Sequence, residues 1–350
     1  MCRLTRILQV DPAAPDPAAI EEAAHVLRAG GLVAFPTETV YGLGAHALDP
    51  AAVRRIFEAK GRPSTDPLIV HVSDVDAVRG IVSVLPESAV QLASAFWPGP
   101  LTLVLPRADV VPREVTAGLD TVAVRVPAHP IARALLAAAQ VPIAAPSANL
   151  FSRPSPTIAA HVLADFGDRI DVVIDGGPTD VGVESTVLAL TGTRPVILRP
   201  GAITESMLRR LIPDVEIAHL TTGESTASPS PGTLAKHYSP RAPLTLYDGP
   251  PALVRARIAS DAAAASAAGQ RVGILAMDED DLAIGRLVRL GSETRPEIVA
   301  VRLYAALRDL DADDVDLILA RQFPSDDGLG RAVRDRLSRA AAGRVIRCDT

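Results

Sequence analysis

The sequence predicts an α/β protein of two domains, and three observations support that prediction. Short apolar runs, of which residues 32–35 are the first clear one, alternate with helical stretches along the chain. At 350 residues the chain exceeds one typical domain. A segment low in apolar residues, 221–243, has the composition of a linker. We therefore predict a first domain over 1–212, a linker over 213–243 and a second domain over 244–350.

Composition and charge narrow the class of protein. The net charge of −6 argues against a generally basic nucleic-acid-binding surface. Hydrophobic residues make up 48% of the chain and aromatic ones only 3%, so its cores must consist mostly of small aliphatic side chains. Cys2 and Cys348 have no metal-type spacing and give no disulfide framework, which favours a reducing cytoplasm. The uncharged stretch 134–152 is interrupted by prolines, so we predict no membrane span.

The first domain is organised around residues 30–72. A buried strand is expected to stop at Pro36, and the hydroxyl-rich segment 37–44 to form a polar loop closed by two glycines. A helix then ends near Lys60-Gly61-Arg62, and a second strand carries His71. Strand, polar loop, helix, cationic loop and strand are typical of a ligand-binding unit whose cations could hold phosphates.

Two further polar features interrupt apolar strands. Arg125 breaks the strand 121–126, so it lies either at an exposed end or next to a partner. Its functional interpretation is a fork that binds a carboxylate through two hydrogen bonds. The strand 141–145 leads into Pro146-Ser147-Ala148-Asn149 and the hydroxyl-rich stretch 152–157. This loop is either an ordinary solvated turn or a ligand loop at the carboxyl end of a strand.

The same periodicities predict the remaining elements. In the first domain we predict helices over 16–27, from 73, over 86–96, 130–139 and 158–165, and strands over 68–72, 101–105, 172–174, 187–190 and 196–198. In the second we predict strands over 244–247, 272–277, 287–290 and 315–320, with helices over 253–268, 296–310 and from 329. Their alternation indicates a parallel sheet, and no glycine-rich fingerprint follows its first strand, so we expect no dinucleotide.

The motifs of the first domain resemble the YrdC-like domain of threonylcarbamoyl-AMP synthases. The resemblance spans roughly 18–211, and the remainder fits the two-domain version of that family. It implies a twisted open mixed sheet with helices on both faces and a concave cleft, followed by a smaller Rossmann-like parallel-sheet domain. The motifs that carry it are, in order, 35–44 (FPTETVYGLG), Lys60-Gly61-Arg62, Pro146-Ser147-Ala148-Asn149, Glu184-Ser185-Thr186 and Leu198-Arg199-Pro200-Gly201.

The resemblance also implies an activity and its residues. Such enzymes condense L-threonine, bicarbonate and ATP to threonylcarbamoyl-AMP and pyrophosphate, and downstream proteins transfer the group to an adenosine beside the tRNA anticodon. Mg²⁺ is expected to come with ATP, because no metal-ligand cluster is visible. The catalytic residues implied are Lys60 and Arg62. The ATP-binding residues implied are Lys60, Arg62, Asp66, Thr121, Ser147, Asn149, Ser155, Arg199 and Tyr238. The threonine-binding residues implied are Thr39, His71, Arg125, Ala145 and Ser185, with Thr37 nearby.

Two of the roles that the resemblance implies have alternatives. His71 is either a threonine ligand or a general base. Lys236, His237 and Tyr238 cluster inside the segment 221–243, which is either a passive linker or a lid over the cleft of the first domain. The resemblance places Tyr238 against the nucleotide, which favours the lid.

Two other functions compete with the synthase. Carbamoyl transfer in hydrogenase maturation uses a similar domain, but proteins of that kind carry cysteine-rich zinc motifs that this chain lacks. A non-enzymatic module for double-stranded RNA could hold a phosphate backbone in the cationic cleft. The net acidity of the chain and the hydroxyl side chains expected around a small ligand disfavour RNA binding as the main role.

Overall fold

The computed structural model describes residues 4–218 and 237–349, and these divide into two compact units. The first unit comprises the described residues up to 218 except 152–154, and the second comprises 152–154 and the described residues from 237 onward. Within the second unit, Arg153 forms an ion pair with Asp311 at 2.9 Å. Sixteen residues of the predicted lid, 221–236, with Lys236 among them, lie outside the described residues.

The first unit is built on an eleven-stranded mixed sheet with helices on both of its faces, which confirms the predicted class of fold. Its strands are β1 (Arg6–Gln9), β2 (Val33–Pro36), β3 (Tyr41–His46), β4 (Ile69–His71), β5 (Leu101–Pro106), β6 (Thr121–Arg125), β7 (Ile143–Ala144), β8 (Val172–Asp175), β9 (Thr186–Ala189), β10 (Val196–Arg199) and β11 (Glu216–Ile217). Their order across the sheet is β1-β8-β2-β3-β7-β4-β6-β5-β9-β10-β11. The helices are α1 (Pro17–Arg28), α2 (Pro50–Lys60), α3 (Val75–Val78), α4 (Glu87–Phe96), α5 (Arg113–Thr116), α6 (Pro130–Ala139), α7 (Ala159–Phe166) and α8 (Glu205–Arg209).

Side-chain alternation along the strands creates two cores, one on each face of this sheet. Along β2, Val33 and Phe35 belong to the core formed with α1 and α6, where Leu27 and Leu135 are buried. Ala34, between them, belongs to the opposite core, formed with α2, α4 and α7. Since successive residues of a strand point to opposite faces, a strand buried on both sides shows a continuous apolar run.

The predicted polar loop over 37–44 is wrong in its second half. Tyr41–His46 is a strand that pairs antiparallel with β2, in a register that sets Pro36 opposite Tyr41. Gly44 lies within β3 and not in a turn. A Cβ atom there would lie 2.8 Å from the side chains of Phe35 and Ile143, so only glycine fits at this position. The glycine therefore allows close packing within the sheet. In the sequence alone, a glycine of this kind cannot be told from one in a loop.

The second unit contains the parallel sheet that the sequence predicts. Its strands are β12 (Leu244–Asp248), β13 (Val272–Ala276), β14 (Arg286–Arg289), β15 (Leu317–Arg321) and β16 (Val345–Arg347), in the order β14-β13-β15-β12-β16. Its helices are α9 (Pro251–Ala267), α10 (Pro296–Ala312) and α11 (Gly328–Ala341). The sequence analysis missed β16, because this three-residue edge strand is largely exposed and contains no apolar run.

Candidate active site

The parallel strands β4 and β6 bring two predicted threonine ligands to one edge of the sheet. Their register places His71 beside Arg125, each the last residue of its strand. The Arg125 guanidinium is buried, and its Nε donates to the carbonyl oxygen of Gly99 at 3.2 Å. Its Nη1 donates to Thr39 Oγ1 at 3.1 Å, and its Nη2 lies 2.6 Å from a carboxylate oxygen of Glu38. The charge that breaks the strand pattern is therefore buried and paired.

The short turn before β3 presents Thr39 and Glu38 to that guanidinium. The hydroxyls of Thr37 and Thr39 lie 2.8 Å apart, and Thr37 Oγ1 also donates to the Val40 carbonyl at 2.6 Å. The carbonyl of Glu38 accepts a hydrogen bond from the Val181 amide at 2.8 Å, and the carbonyl of Thr39 accepts one from the Gly182 amide at 3.1 Å. These bonds anchor the middle of the turn, so the turn holds its hydroxyls in fixed positions.

His71 lies in this cluster as a neutral imidazole. Burial and the positive charge of Arg125 lower the pKa of His71 to about 3. Its ring meets Phe35 edge-on at 6.3 Å. Its Nδ1 has no partner at hydrogen-bond geometry among the described residues, although the nearby backbone of Ile69 and Ile143 raises the pKa in part. A buried ring nitrogen without a partner is the kind of atom a ligand satisfies. A base with so low a pKa removes protons poorly at neutral pH, which disfavours His71 as a general base.

Ser185 connects the predicted threonine ligands to a predicted ATP ligand. Its hydroxyl lies 2.8 Å from Thr102 Oγ1 and accepts from Arg199 Nη2 at 3.2 Å. Arg199 Nε donates to the carbonyl of the same serine at 3.1 Å. The backbone amide of Ala145 donates to the Ile69 carbonyl at 2.9 Å, so it is already used within the sheet.

The only described lysine is buried at the end of α2. Gly61 terminates this helix in the left-handed conformation, with φ of +61°, a position that favours glycine. Lys60 Nζ donates to the backbone carbonyls of Ser147 and Asn149, and its own carbonyl accepts from the Phe151 amide at 2.8 Å. The lysine therefore positions the loop that carries two of the predicted nucleotide ligands.

Arg62 and Asp66 form a second buried ion pair, at 2.9 Å. Arg62 also donates from Nε to the Asp66 carbonyl at 3.2 Å and from Nη2 to the Pro67 carbonyl at 2.8 Å. Burial raises the pKa of Asp66, while the charges of Arg62, Lys60 and Arg199 act in the opposite direction. The three cations are thus close enough to influence one carboxylate, which places the predicted phosphate ligands in one cluster.

Two acidic residues of this site were given no role by the sequence analysis. Glu184 accepts a hydrogen bond from the hydroxyl of Ser155, and both side chains are buried. Glu38 is paired with Arg125 as described. Both acids lie inside the quoted motifs, next to residues that are expected to be buried. Because a buried carboxylate is nearly always paired, this position could have marked both acids as part of the site.

Two more of the predicted nucleotide ligands are Thr121, in β6, and Tyr238, in the second unit. Thr121 begins β6 and Arg125 ends it, which separates them by about 13 Å at 3.3 Å per residue. Tyr238 belongs to the second unit and is buried there between the ring of Tyr304, at 5.4 Å, and the guanidinium of Arg336, at 5.6 Å. Its φ of +61° is uncommon for a residue other than glycine.

The described ranges contain neither a metal-type cluster nor a membrane-spanning helix. Across residues 4–218 and 237–349, no group of three or more His, Cys, Asp or Glu side chains is arranged to hold a metal ion. Nor does any helix in those ranges have the length and apolar character needed to cross a membrane.

A mixed sheet that buries one lysine and three arginines among hydroxyl groups, followed by a parallel-sheet unit, defines a two-domain YrdC-like protein. Family models agree: residues 25–201 match the Sua5/YciO/YrdC model, described as "Telomere recombination", and 203–342 match "Threonylcarbamoyl-AMP synthase, C-terminal domain". The chain belongs to the threonylcarbamoyl-AMP synthase family. Its enzyme class is accordingly a transferase, and the predicted family is confirmed.

Individual relatives support this assignment over nearly the whole chain. Threonylcarbamoyl-AMP synthases of Pyrococcus abyssi and Bacillus subtilis are each 46% identical, covering 94% of this chain and 95% and 94% of theirs. The crystal structure of P. abyssi Sua5 complexed with L-threonine matches with a TM-score of 0.93 and 45% identity. That match covers 98% of this chain and 99% of the other.

Proposed function

We propose that the protein condenses L-threonine, bicarbonate and ATP to threonylcarbamoyl-AMP and pyrophosphate, with threonine bound at the ends of β4 and β6. The observation that carries this proposal is the buried Arg125 guanidinium next to the Thr39 hydroxyl and the neutral His71. A guanidinium suits a carboxylate, and the hydroxyl and imidazole suit the polar groups of a small amino acid. The relative of known structure with bound L-threonine supports the choice of amino acid.

ATP would bind at the cluster of Lys60, Arg62 and Arg199, with Ser147, Asn149 and Ser155 beside its phosphates. Mg²⁺ enters with ATP as part of the substrate and neutralises phosphate charge. The carbamate oxygen formed on the threonine amine attacks the α-phosphorus, and the bond between that phosphorus and the bridging oxygen breaks to release pyrophosphate. The cations stabilise the negative charge that moves to the leaving group, so positioning and electrostatics supply most of the catalysis.

The product constrains what must follow this reaction. Threonylcarbamoyl-AMP is a mixed anhydride that water hydrolyses, so downstream proteins that transfer the group to tRNA must take it up promptly. We place the reaction in the cytoplasm, where the tRNA and the reducing conditions suited to a free thiol at Cys348 are found. Direct, weak RNA binding by this chain remains a secondary proposal, which filter binding of the purified protein would test.

The test is ATP–pyrophosphate exchange with threonine and bicarbonate each omitted in turn. Exchange should require both, because the carbamate is the nucleophile. Serine lacks one methyl group, so it should support the reaction about 10–200-fold less efficiently in kcat/KM. Full exchange without bicarbonate, or equal activity with serine, would contradict the proposal.

A further inference from the structure

We propose that Glu38 occupies the place of the substrate carboxylate in the empty site, and that threonine displaces it from Arg125. The inference rests on the proposed function, in which Arg125 binds the threonine carboxylate. It assigns to Glu38 a task that its neighbours in the motif do not have: to neutralise the binding arginine until the substrate arrives, and thereby to set the affinity for threonine.

The geometry around the guanidinium supports this exchange. Two of its nitrogens donate to neutral oxygens, those of Gly99 and Thr39, and the third faces the Glu38 carboxylate. The side chains of Arg125 and Glu38 are only 4% and 9% exposed. A buried arginine without a countercharge is strongly destabilising, so a site that binds a carboxylate out of water needs another carboxylate when it is empty.

Glu38 is also held in a way that permits its departure. Its backbone is fixed through the Val181 amide, whereas neither carboxylate oxygen accepts a hydrogen bond from the described residues beyond its ion pair with Arg125. His129 also feels its charge: burial lowers the pKa of His129, and Asp180 and Glu38 raise it in part. Rotation of the Glu38 side chain therefore breaks one interaction and leaves the turn in place.

In this exchange the threonine carboxylate and the Glu38 carboxylate compete for one guanidinium. The affinity for threonine therefore depends on the difference between their two free energies of interaction with Arg125. An amide at position 38 would compete less well, because a hydrogen bond to a charged acceptor is worth about twice one to a neutral acceptor. The Glu38→Gln variant should therefore bind threonine about five- to tenfold more tightly than the wild type, with ATP affinity unchanged.

The experiment is calorimetric titration of L-threonine into the full-length wild type and three variants, Glu38→Gln, Arg125→Gln and Asp280→Asn. Asp280 is the matched control, because it is a buried acid paired with Arg321 at 3.1 Å in the second unit. Tighter threonine binding in Glu38→Gln alone, with Asp280→Asn equal to wild type, supports the inference. A purely structural ion pair would lower the melting temperature of Glu38→Gln and leave its threonine Kd unchanged, which overturns the inference.

The Arg125→Gln and Glu38→Gln variants together show whether this inference alone is wrong or the proposed function is wrong as well. If Arg125→Gln binds threonine as well as the wild type does, the assignment of Arg125 is wrong and both fall. If Arg125→Gln loses binding but Glu38→Gln binds equally or more weakly, only the displacement by threonine is wrong. Should Glu38→Gln not fold, Glu38→Asp provides the same test, since a shorter acid keeps the charge but withdraws it from Arg125. It should also tighten binding, and weaker or equal binding would overturn the inference.

Discussion

Replacement of Arg125 by lysine tests the assignment on which the proposed threonine site depends. Lysine keeps the positive charge but cannot form the fork of two parallel hydrogen bonds that a guanidinium offers to a carboxylate. It also cannot reproduce three simultaneous contacts in fixed directions, which Arg125 makes with Gly99, Thr39 and Glu38. Arg125→Lys should therefore weaken threonine binding while leaving ATP binding close to normal.

The expected magnitude follows from one lost charge-assisted hydrogen bond. Such a bond contributes about 1.5–3 kcal/mol when its partner is charged. Because 1.4 kcal/mol corresponds to a factor of ten, the threonine KM should rise about 10–150-fold. Burial places the expectation toward the upper part of this range, since the Arg125 side chain is only 4% exposed and water cannot replace the missing donor.

The assay is pyrophosphate release at saturating ATP and bicarbonate, with threonine varied for wild type and variant. Threoninol, which lacks the carboxylate, serves as a control ligand: its inhibition constant should change little between the two proteins. Arg321→Lys is the matched control variant, because Arg321 is equally buried and ion-paired, with Asp280 and Glu293, in the second unit. It should lower stability without changing the threonine KM.

A threonine KM for Arg125→Lys within twofold of the wild-type value, in a protein that melts cooperatively, would refute the assignment. An equal loss of affinity for threonine and threoninol would also refute it, because the effect would then come from a general distortion of the site.

Three further predictions concern Lys60, His71 and Tyr238. Lys60→Ala should reduce the rate of pyrophosphate release about 100–1,000-fold, as expected for loss of one preorganised cation, and a rate within twofold of wild type would remove Lys60 from the site. Because His71 stays neutral in the folded protein down to pH about 3, whereas its unfolded pKa is 6.5, the free energy of unfolding should fall by about 1.4 kcal/mol per pH unit as pH decreases between these values. His71→Gln should flatten that slope in urea titrations, and an unchanged slope would contradict the assigned pKa. Tyr238→Ala should lose about 3–5 kcal/mol of stability, because it removes a buried ring that packs on Tyr304. A melting temperature equal to that of the wild type would show that the ring packing contributes little.

Most of the fold could be predicted because its signals are local. Asp16 and Asp49 accept hydrogen bonds as N-caps before prolines at the first helical position, as their sequence predicts. The errors arose where tertiary packing decides the structure. Gly44 resembles a turn residue, yet it lies in β3 because Phe35 and Ile143 leave no room for a side chain. Pairing partners of the shortest strands, such as β16, depend on neighbours far away in the chain.

The candidate site could be predicted in its residue types but not in their pairing. The sequence indicates that Arg125 would be buried only with a partner, and it cannot name that partner, because Glu38 precedes it by 87 residues and belongs to a different strand pair. The same applies to Glu184, which meets Ser155 only when β9 and the loop after β7 approach each other. Motifs thus identify the chemistry, and the sheet register determines which groups meet.

Arg62 and Arg125, two of the buried arginines of the first unit, differ in where the acceptors described above lie. Arg62 pairs with Asp66 and donates to the carbonyls of residues 66 and 67, and these contacts stabilise its own loop. Arg125 is bound to groups from two other segments, at Gly99 and in the turn that carries Thr39. Loss of Arg62 would therefore disturb a loop next to Lys60, whereas loss of Arg125 would remove a link between these two segments at the end of β6. An arginine that joins separate segments across a strand edge is suited to sense a ligand there, since a carboxylate that enters exchanges with Glu38 on the same guanidinium that holds the segments together.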